Sequence, residues 1–183
     1  MAAVVLVEGT SDQVAIEVLA ARRGRDLDAE RVAVVPMGGA TNIGRFLEEF
    51  GPAGLDVSLA GLCDAGEEWS FRRGLSRAGI GPARTRDDLE SLGFFVCVED
   101  LEDELIRALG TDTVLEVVAA QGDLRSFRRF QNQPAKRGQT DAPQLRRFLG
   151  TRSGRKAQYA KALVDALDLA NVPRPLDALL ARI

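Results

Sequence analysis

The first hundred residues alternate between short apolar runs and amphipathic stretches. Residues 3–7 read Ala-Val-Val-Leu-Val without a polar interruption, and strand-like apolar runs recur near 31–36, 56–63 and 93–98. Runs of this kind, without strict alternation, are typical of strands buried on both faces of a parallel sheet. The sequence therefore predicts four strands, the first of which extends to residue 8.

Helical periodicity fills the intervals between these runs and all of the chain after residue 98. The lengths of the intervals favour right-handed βαβ connections. The stretch 131–140 lacks apolar periodicity and is predicted to be a loop. The predicted helices span 11–23, 42–50, 67–79, 87–92, 99–109, 112–121, 123–131, 142–149, 153–170 and 175–182.

These elements predict an α/β fold with a Rossmann-like architecture. We expect a parallel sheet of about four strands with helices on both faces, followed by an all-helical C-terminal part. The expected division is an α/β core at 1–110 and a helical extension at 111–183 that packs on it. A chain of 183 residues is long enough to bury such a core without disulfides or metals as staples.

The composition excludes several kinds of active site. The chain contains no histidine and two cysteines. It therefore cannot build a Ser-His-Asp or Cys-His triad, or a zinc site that uses histidine. Cys63 and Cys97 both follow apolar runs without metal-site spacing, so we expect buried thiols. The remaining metal donors are oxygen atoms, which favour magnesium, with manganese as a substitute.

Two further absences shape the expected setting. No segment approaches the ~20 apolar residues of a membrane span, and no basic leader precedes the first apolar run. We expect a cytoplasmic protein that does not enter the membrane. The motif Gly-x-x-x-x-Gly-Lys-Ser/Thr is also missing, so we expect no ATPase activity of the chain's own.

Charge is distributed unevenly along the chain. Residues 1–124 hold 23 acidic and 11 basic side chains, whereas 125–156 hold ten basic residues against Asp141 alone. An acidic lobe beside a basic segment suits a metal site that also holds a polyanion, although a solvated helical face has the same composition. The basic residues are Arg125, Arg128, Arg129, Lys136, Arg137, Arg146, Arg147, Arg152, Arg155 and Lys156.

Acidic residues follow three of the predicted strands. Glu8 ends the first, Asp64 ends the third, and the acidic run 99–104 follows the fourth. Asp12 lies one helical turn beyond Glu8. Because the C-terminal ends of parallel strands share one edge of the sheet, these carboxylates are expected to converge. Like charges at ~4 Å repel by roughly 4 kcal/mol at an effective dielectric near 20, so the cluster calls for divalent cations or raised pKa values.

Plainer interpretations exist for several of these residues. Asp12 could merely stabilise the positive end of its helix, and Glu99, Glu102 and Asp103 could form one exposed first turn. The segment 8–11, Glu-Gly-Thr-Ser, is also compatible with an anion cradle at a helix start.

Three segments together resemble the motifs of a Toprim domain. They are 5–12 (Val-Leu-Val-Glu-Gly-Thr-Ser-Asp), 36–42 (Pro-Met-Gly-Gly-Ala-Thr-Asn) and 62–66 (Leu-Cys-Asp-Ala-Gly). Residues 100–105 and 154–157 resemble the later part of the OLD-family (overcoming lysogenization defect) version. The resemblance implies a stand-alone Toprim unit with magnesium-dependent phosphodiester chemistry, and a separate ATPase as a possible partner. Nucleic acid is the implied substrate, DNA rather than RNA.

The resemblance also implies roles for individual residues. Glu8 corresponds to a metal ligand or general acid/base, and Asp64 to a metal ligand. Asp12 and Glu102 match carboxylates that help to bind a second metal in OLD-like members. Lys156 matches a lysine that stabilises charge at the scissile phosphate.

One departure from the family pattern opens a second interpretation. The usual Asp-x-Asp is here Asp64-Ala65-Gly66, so the second ligand is missing, and Glu67, Glu68 or water would have to replace it. The leading prediction is a metal-dependent nuclease or nucleotidyl hydrolase. The alternative is a weakened Toprim module that binds nucleic acid or a partner ATPase without cleaving.

Aromatic residues give weaker signals. Trp69 and Phe71, beside Arg72 and Arg73, could stack on a base or pack a helix against the core, and packing is the preferred interpretation. Tyr159 is the only tyrosine, and a nucleophilic role for it is disfavoured.

Overall fold

The structure, a computed structural model, describes residues 2–134, 138–150 and 155–183. Four parallel strands form one sheet in the described residues, in the order β2-β1-β3-β4. Val5 of β1 lies opposite Val34 of β2 and Ala60 of β3, and Leu62 of β3 lies opposite Phe95 of β4. The strands are β1 (Ala3–Val7), β2 (Val32–Pro36), β3 (Ser58–Asp64) and β4 (Phe94–Cys97).

Helices connect the strands and form the whole of the described chain after β4, apart from turns. Short 3₁₀ turns at Ala40–Asn42 and Ala65–Glu67 precede two of them. The α-helices are α1 (Thr10–Arg22), α2 (Ile43–Phe50), α3 (Glu68–Arg77), α4 (Arg86–Ser91), α5 (Leu101–Leu109), α6 (Thr111–Ala120), α7 (Leu124–Gln131), α8 (Asp141–Gly150), α9 (Arg155–Ala166) and α10 (Arg174–Arg182).

The central strand shows why an uninterrupted apolar run was needed. All five residues of β1 are buried, and successive side chains point to opposite faces of the sheet. Val5 and Val7 enter the larger core cluster with Leu19 of α1, whereas Leu6 enters the smaller cluster with Leu47 of α2. Both faces are covered by helices, so the predicted fold class is confirmed.

The larger core cluster is continuous across the predicted division at residue 110. It joins Leu105 of α5 to Val114 of α6, Leu145 of α8 and Leu163 of α9, and α9 packs against α1. The division into 1–110 and 111–183 stays a prediction.

Most predicted boundaries lie within two residues of the observed ones. The largest error is the helix predicted at 153–170, because α9 ends at Ala166 and a turn follows. Cys63 and Cys97 are free, buried thiols, as predicted, and they lie on opposite faces of the sheet. Burial raises the pKa of both thiols. None of the helices described is both long enough and apolar enough to cross a lipid bilayer.

Candidate active site

The strand order locates the natural binding crevice. β1 has β2 on one side and β3 on the other, so the chain reverses its direction of winding at β1. Ligands of open α/β sheets bind outside the C-terminal ends of the strands at such a reversal. Glu8 follows β1 and Asp64 ends β3, so each carboxylate is held at this point by a buried strand.

The start of α1 adds a third carboxylate. Asp12 lies in the first turn of α1, and its Oδ2 accepts a 2.9 Å hydrogen bond from the backbone N–H of Gly9. This bond satisfies one of the free N–H groups at the helix start. Asp12 therefore has the helix-stabilising role considered from the sequence, and it also lines the cleft.

A glycine turn lies beside Glu8, because the Gly39 N–H donates to the Glu8 carbonyl oxygen at 3.1 Å. Gly38 and Gly39 have φ values of 70° and 125°, a region that other residues rarely adopt. Asn42 stabilises the turn, since its Nδ2 donates to the carbonyl oxygen of Met37 at 2.9 Å. Both glycines line the cleft, so the turn brings bare backbone to the site.

The helical half of the chain contributes a carboxylate and a cation. Glu102 lies in the first turn of α5, and Lys156 lies in the first turn of α9. Lys156 Nζ is 3.4 Å from Glu102 Oε1, and the Glu102 side chain is only 12% exposed. Burial lowers the pKa of Lys156, but Glu102, Asp100 and Asp12 outweigh it and raise the pKa above its usual value.

Together these residues line one cleft of about 550 Å³. Its walls are Glu8, Gly9, Thr10, Ser11, Asp12, Gly38, Gly39, Asp64, Glu102, Gly150, Lys156 and Ala157. The cleft thus brings together all five residues predicted to be catalytic or metal-binding. We use the term cleft carboxylates for Glu8, Asp12 and Asp64.

The cleft carboxylates hold their protons unusually tightly. Burial, followed by the charges of Asp12 and Glu8, raises the pKa of Asp64 to about 8. Burial also raises the pKa of Asp12 to about 6, against the hydrogen bond from Gly9. The pKa of Glu8 is raised by burial and by Glu67. Negative charge is therefore crowded in the cleft, and a cation would relieve it.

The other acidic residues near β4 have basic partners. Asp100 caps α5 by accepting from the Asp103 N–H, and its Oδ2 is 2.7 Å from Arg146 Nε. Arg146 also contacts Glu99 at 3.3 Å, and Arg107 pairs with Asp103 and Glu104, both at 2.8 Å. We call Glu99, Asp100, Asp103 and Glu104 the capping carboxylates. Of the acidic run 99–104, Glu102 alone is among the cleft residues.

Gly66, which stands where the family pattern has its second aspartate, has free space around it. A Cβ added to Gly66 would meet no atom within 4 Å. Glu68 pairs with Arg86 at 2.8 Å and with Arg72 at 3.3 Å, so its carboxylate is already neutralised by arginines. Glu67 raises the pKa of Glu8 through its charge, so it is the better placed of the two predicted substitutes.

The donor chemistry of the cleft fits a hard divalent cation, but the donors are not gathered around a point. Among the residues that the structure describes, no three Cys, Asp or Glu side chains are grouped closely enough to hold an ion. Burial first, and then the neighbouring acids, raise the pKa values of Asp12 and Asp64, and a cation beside them would favour the charged carboxylates. Oxygen donors of this kind are those that Mg²⁺ prefers.

The predicted nucleic-acid-binding residues divide into three groups. Arg146 and Arg155 form ion pairs, the latter with Asp123 at 2.9 Å. Lys136, Arg137 and Arg152 lie outside the described residues. The exposed remainder consists of Arg125, Arg128, Arg129 and Arg147.

Two aromatic predictions are resolved by burial. Phe71 is fully buried, whereas Trp69 is 57% exposed, so packing is correct for Phe71 and wrong for Trp69. Their spacing of two residues places them on different faces of α3, a signal that the sequence already contained. Tyr159 is 2% exposed, and its hydroxyl donates to Asp123 at 2.9 Å.

Comparison with known proteins agrees with this geometry. Residues 2–65 match the family model described as the Overcoming lysogenization defect protein-like, TOPRIM domain. Over this segment the chain is similar to an OLD-like Toprim domain. The matched segment ends one residue after Asp64 and therefore includes all three cleft carboxylates. No curated protein matches the sequence.

Solved structures extend the likeness to the whole chain. The C-terminal region of the Xanthomonas campestris pv. campestris OLD protein is 25% identical, with a TM-score of 0.76 over 100% of this chain and 91% of that one. The C-terminal region of the Burkholderia pseudomallei OLD protein is 20% identical, with a TM-score of 0.73 over 98% and 95% of the two chains. The OLD-like fold therefore includes α6 to α10, beyond the segment that the family model matches.

Proposed function

We propose that the chain is a Mg²⁺-dependent nuclease that hydrolyses phosphodiester bonds, with DNA as substrate. The observation that carries this proposal is the single cleft that contains Glu8, Asp12, Asp64 and Lys156 at the point where the sheet reverses its winding. A nuclease needs carboxylates for metal and proton transfer together with a cation for phosphate, and this chain has no histidine to take either part.

The roles follow from the surroundings of each side chain. Asp12 and Asp64, with Glu102 beside them, would hold the metal. Glu8 would serve as a ligand or as the general base that takes a proton from the attacking water, since a raised pKa improves a carboxylate as a base near neutral pH. When bound, Mg²⁺ polarises a phosphoryl oxygen and offsets the charge that develops there.

Lys156 and the start of α1 would hold the phosphate. The Lys156 side chain is 49% exposed, so its ammonium can exchange Glu102 for a phosphate oxygen. The free N–H groups at the start of α1 offer further donors on the cleft wall, and the Gly38-Gly39 turn leaves room for the phosphate beside them. The exposed arginines of α7 and α8 supply positive charge for the DNA backbone beyond the cleft.

Cleavage of supercoiled plasmid tests the proposal. Wild type with Mg²⁺ or Mn²⁺ should convert plasmid to nicked or linear product, and EDTA should stop the reaction. Glu8→Gln keeps the shape of the side chain but removes its charge, and it should be inactive while folding normally by circular dichroism. Equal cleavage by wild type and Glu8→Gln contradicts the proposal.

A second function is favoured by Gly66 and by the scattered donors. Without the usual second aspartate, the cleft could bind nucleic acid or a separate ATPase subunit without cleaving. In that case DNA affinity is unchanged by EDTA, and no metal gives product. The plasmid assay, run beside a binding assay in EDTA, separates the two functions.

A further inference from the structure

A groove outside the cleft separates α2 from α3. It has a volume of about 480 Å³, and Leu47 and Gly74 are among the buried residues of its walls. Trp69, Arg73 and Arg77 line it from α3, and Thr41 and Glu48 line it from the α2 side. The groove is therefore a mixed surface, with an aromatic ring and two arginines against one carboxylate.

Trp69 is the unusual member of this surface. Large aromatic side chains bury most of their area in cores or interfaces, yet 57% of Trp69 faces solvent. The guanidinium carbon of Arg73 lies 5.5 Å from the centre of the Trp69 ring. This cation-π contact restrains the ring in an exposed position, which lowers the entropy cost of stacking a ligand on it.

The arginines of the groove differ from their neighbour Arg72 in having no acidic partner among the described residues. Trp69, Arg73 and Arg77 recur at intervals of four residues, so they form one stripe along α3. Arg72, on another face of α3, pairs with Glu68. Within the described part of the chain, neither Arg73 nor Arg77 forms an ion pair, and both are exposed. Their charges are available to an anionic ligand.

The groove adjoins the cleft along the chain on both sides. Trp69 follows Asp64 by one 3₁₀ turn and the first residue of α3. On the other side, Thr41 of the groove lies two residues after Gly39 of the cleft. Short segments of chain thus join the groove to the cleft at the ends of both β2 and β3.

We propose that the groove between α2 and α3 binds a single-stranded segment of nucleic acid, with one base stacked on Trp69 and the adjoining phosphates at Arg73 and Arg77. This inference rests on the proposed action on nucleic acid and adds a strand path to it. An exposed ring beside free cations is the combination that binds single strands, because every base offers a flat face and every linkage a negative charge. A duplex cannot use it, since its bases are already stacked on each other.

Trp69 provides its own reporter, because it is the only tryptophan of the chain. The protein can be titrated with a twelve-nucleotide oligo(dT), or with an abasic strand of the same length, while its tryptophan fluorescence is recorded. EDTA in the buffer prevents cleavage. Both strands carry the same phosphates. Stacking predicts strong quenching by oligo(dT) and little by the abasic strand. Equal quenching by both strands, or no quenching by oligo(dT), overturns the proposal.

Variants test the contribution to affinity. With a fluorescein-labelled oligo(dT), Trp69→Ala should weaken binding by about tenfold, within the range measured for one base-aromatic stack. Leu169→Ala is the matched control, because Leu169 is an exposed apolar residue far along the chain, and it should bind as wild type does. Equal affinity of Trp69→Ala and wild type overturns the stacking interaction.

A charge-matched pair tests the arginines. Arg73→Gln with Arg77→Gln should weaken binding and flatten its dependence on salt, because two phosphate contacts are lost. Arg45→Gln with Arg182→Gln removes two exposed charges that do not line the groove, and should have a smaller effect. If both double variants weaken binding equally, the arginines act only through net charge and the proposed phosphate contacts are wrong.

The outcome is separable from that of the proposed function. Quenching that depends on bases, without plasmid cleavage under any metal, supports the groove and removes the nuclease proposal. Cleavage by wild type without quenching supports the nuclease and removes the groove. The same quenching by a blunt duplex as by the single strand also overturns the inference, because a duplex has no free base to stack.

Discussion

Two sets of carboxylates at the same edge of the sheet have opposite surroundings. The capping carboxylates have built-in partners, since Arg146 contacts Asp100 at 2.7 Å and Arg107 contacts Asp103 at 2.8 Å. Asp64, at the end of β3, is instead surrounded by other acids, which together with burial raise its pKa. Arginines of the chain thus neutralise the first set, whereas the crowded charge around Asp64 is what the proposed metal would neutralise.

The strongest test of this comparison replaces one aspartate of each set with asparagine. Asp64→Asn should lower plasmid cleavage by at least about a hundredfold, because even partners outside the ligand set are typically worth 10–100-fold. Asp103→Asn, which affects the pair with Arg107, should cleave within about twofold of wild type, since exposed ion pairs contribute little. Similar losses in both variants would show that the two sets are not functionally distinct.

Two lysines on α9 give a comparison of cations. Lys156→Met should lower cleavage by about a hundredfold, as expected for removing a charge that stabilises the transition state, with the loss mainly in kcat. Lys161 lies on the same helix and pairs with Asp165 at 2.6 Å. Lys161→Met should leave the rate unchanged. If Lys156→Met raises KM and leaves kcat unchanged, the lysine binds the substrate and does not take part in the reaction.

The missing ligand can be restored at Gly66. Because a side chain there meets no neighbour within 4 Å, Gly66→Asp should fold as wild type does and should bind Mg²⁺ or Mn²⁺ about tenfold more tightly, in line with the contribution of one site residue. Isothermal titration measures this affinity. Gly66→Asn, which is nearly the same size but neutral, is the control and should gain less. An unchanged affinity in Gly66→Asp removes this position from the metal site.

The raised pKa of Asp64 predicts a pH dependence of stability. The unfolded aspartate titrates near 4 and the folded one at about 8, so its contribution to stability is fully present below about pH 4 and is lost as the pH rises through about 8. In EDTA at pH 9, Asp64→Asn should therefore melt at least about 3 °C above wild type, on a scale of roughly 2–4 °C per kcal/mol. At pH 4 the two should melt together. Mg²⁺ should raise the melting temperature of wild type more than that of the variant.

The smallest effect is expected at the capping carboxylates. Arg146→Ala removes the pairs with Glu99 and Asp100, and should lower the free energy of unfolding by at most about 1 kcal/mol, since Arg146 is partly exposed. Urea denaturation measures this change, with Arg45→Ala as the control, since Arg45 pairs with no acid in the described part of the chain. A loss of several kcal/mol would show that the pairs are structural elements in their own right.

The sequence predicts the sheet edge better than the partners of its side chains. Glu8 and Asp64 could be placed from local pattern alone, because each ends a buried strand and parallel strands end together. The ion pairs of Arg146 and Arg155 could not be predicted in this way, since Arg146 contacts Asp100, which lies 46 positions away in the sequence. Such contacts depend on how α8 and α9 pack on the core, and no local pattern encodes that geometry.

The same limit applies to Glu102 but not to Trp69. Sequence alone does not divide the acidic run 99–104, whereas the structure places Glu102 in the cleft and Asp100 at the cap of α5. For Trp69 and Phe71 the spacing does carry the information, because helical geometry separates residues two positions apart.

The position of Lys156 has a consequence for biosynthesis. The acids of the cleft belong to the first two-thirds of the chain, whereas the cation that accompanies them begins α9, which packs against α1. The ribosome must therefore have synthesised residue 156 before the cleft can hold both signs of charge. A nascent fragment that ends earlier has the acids without their lysine, so the proposed hydrolysis would require the helical segment as well as the sheet.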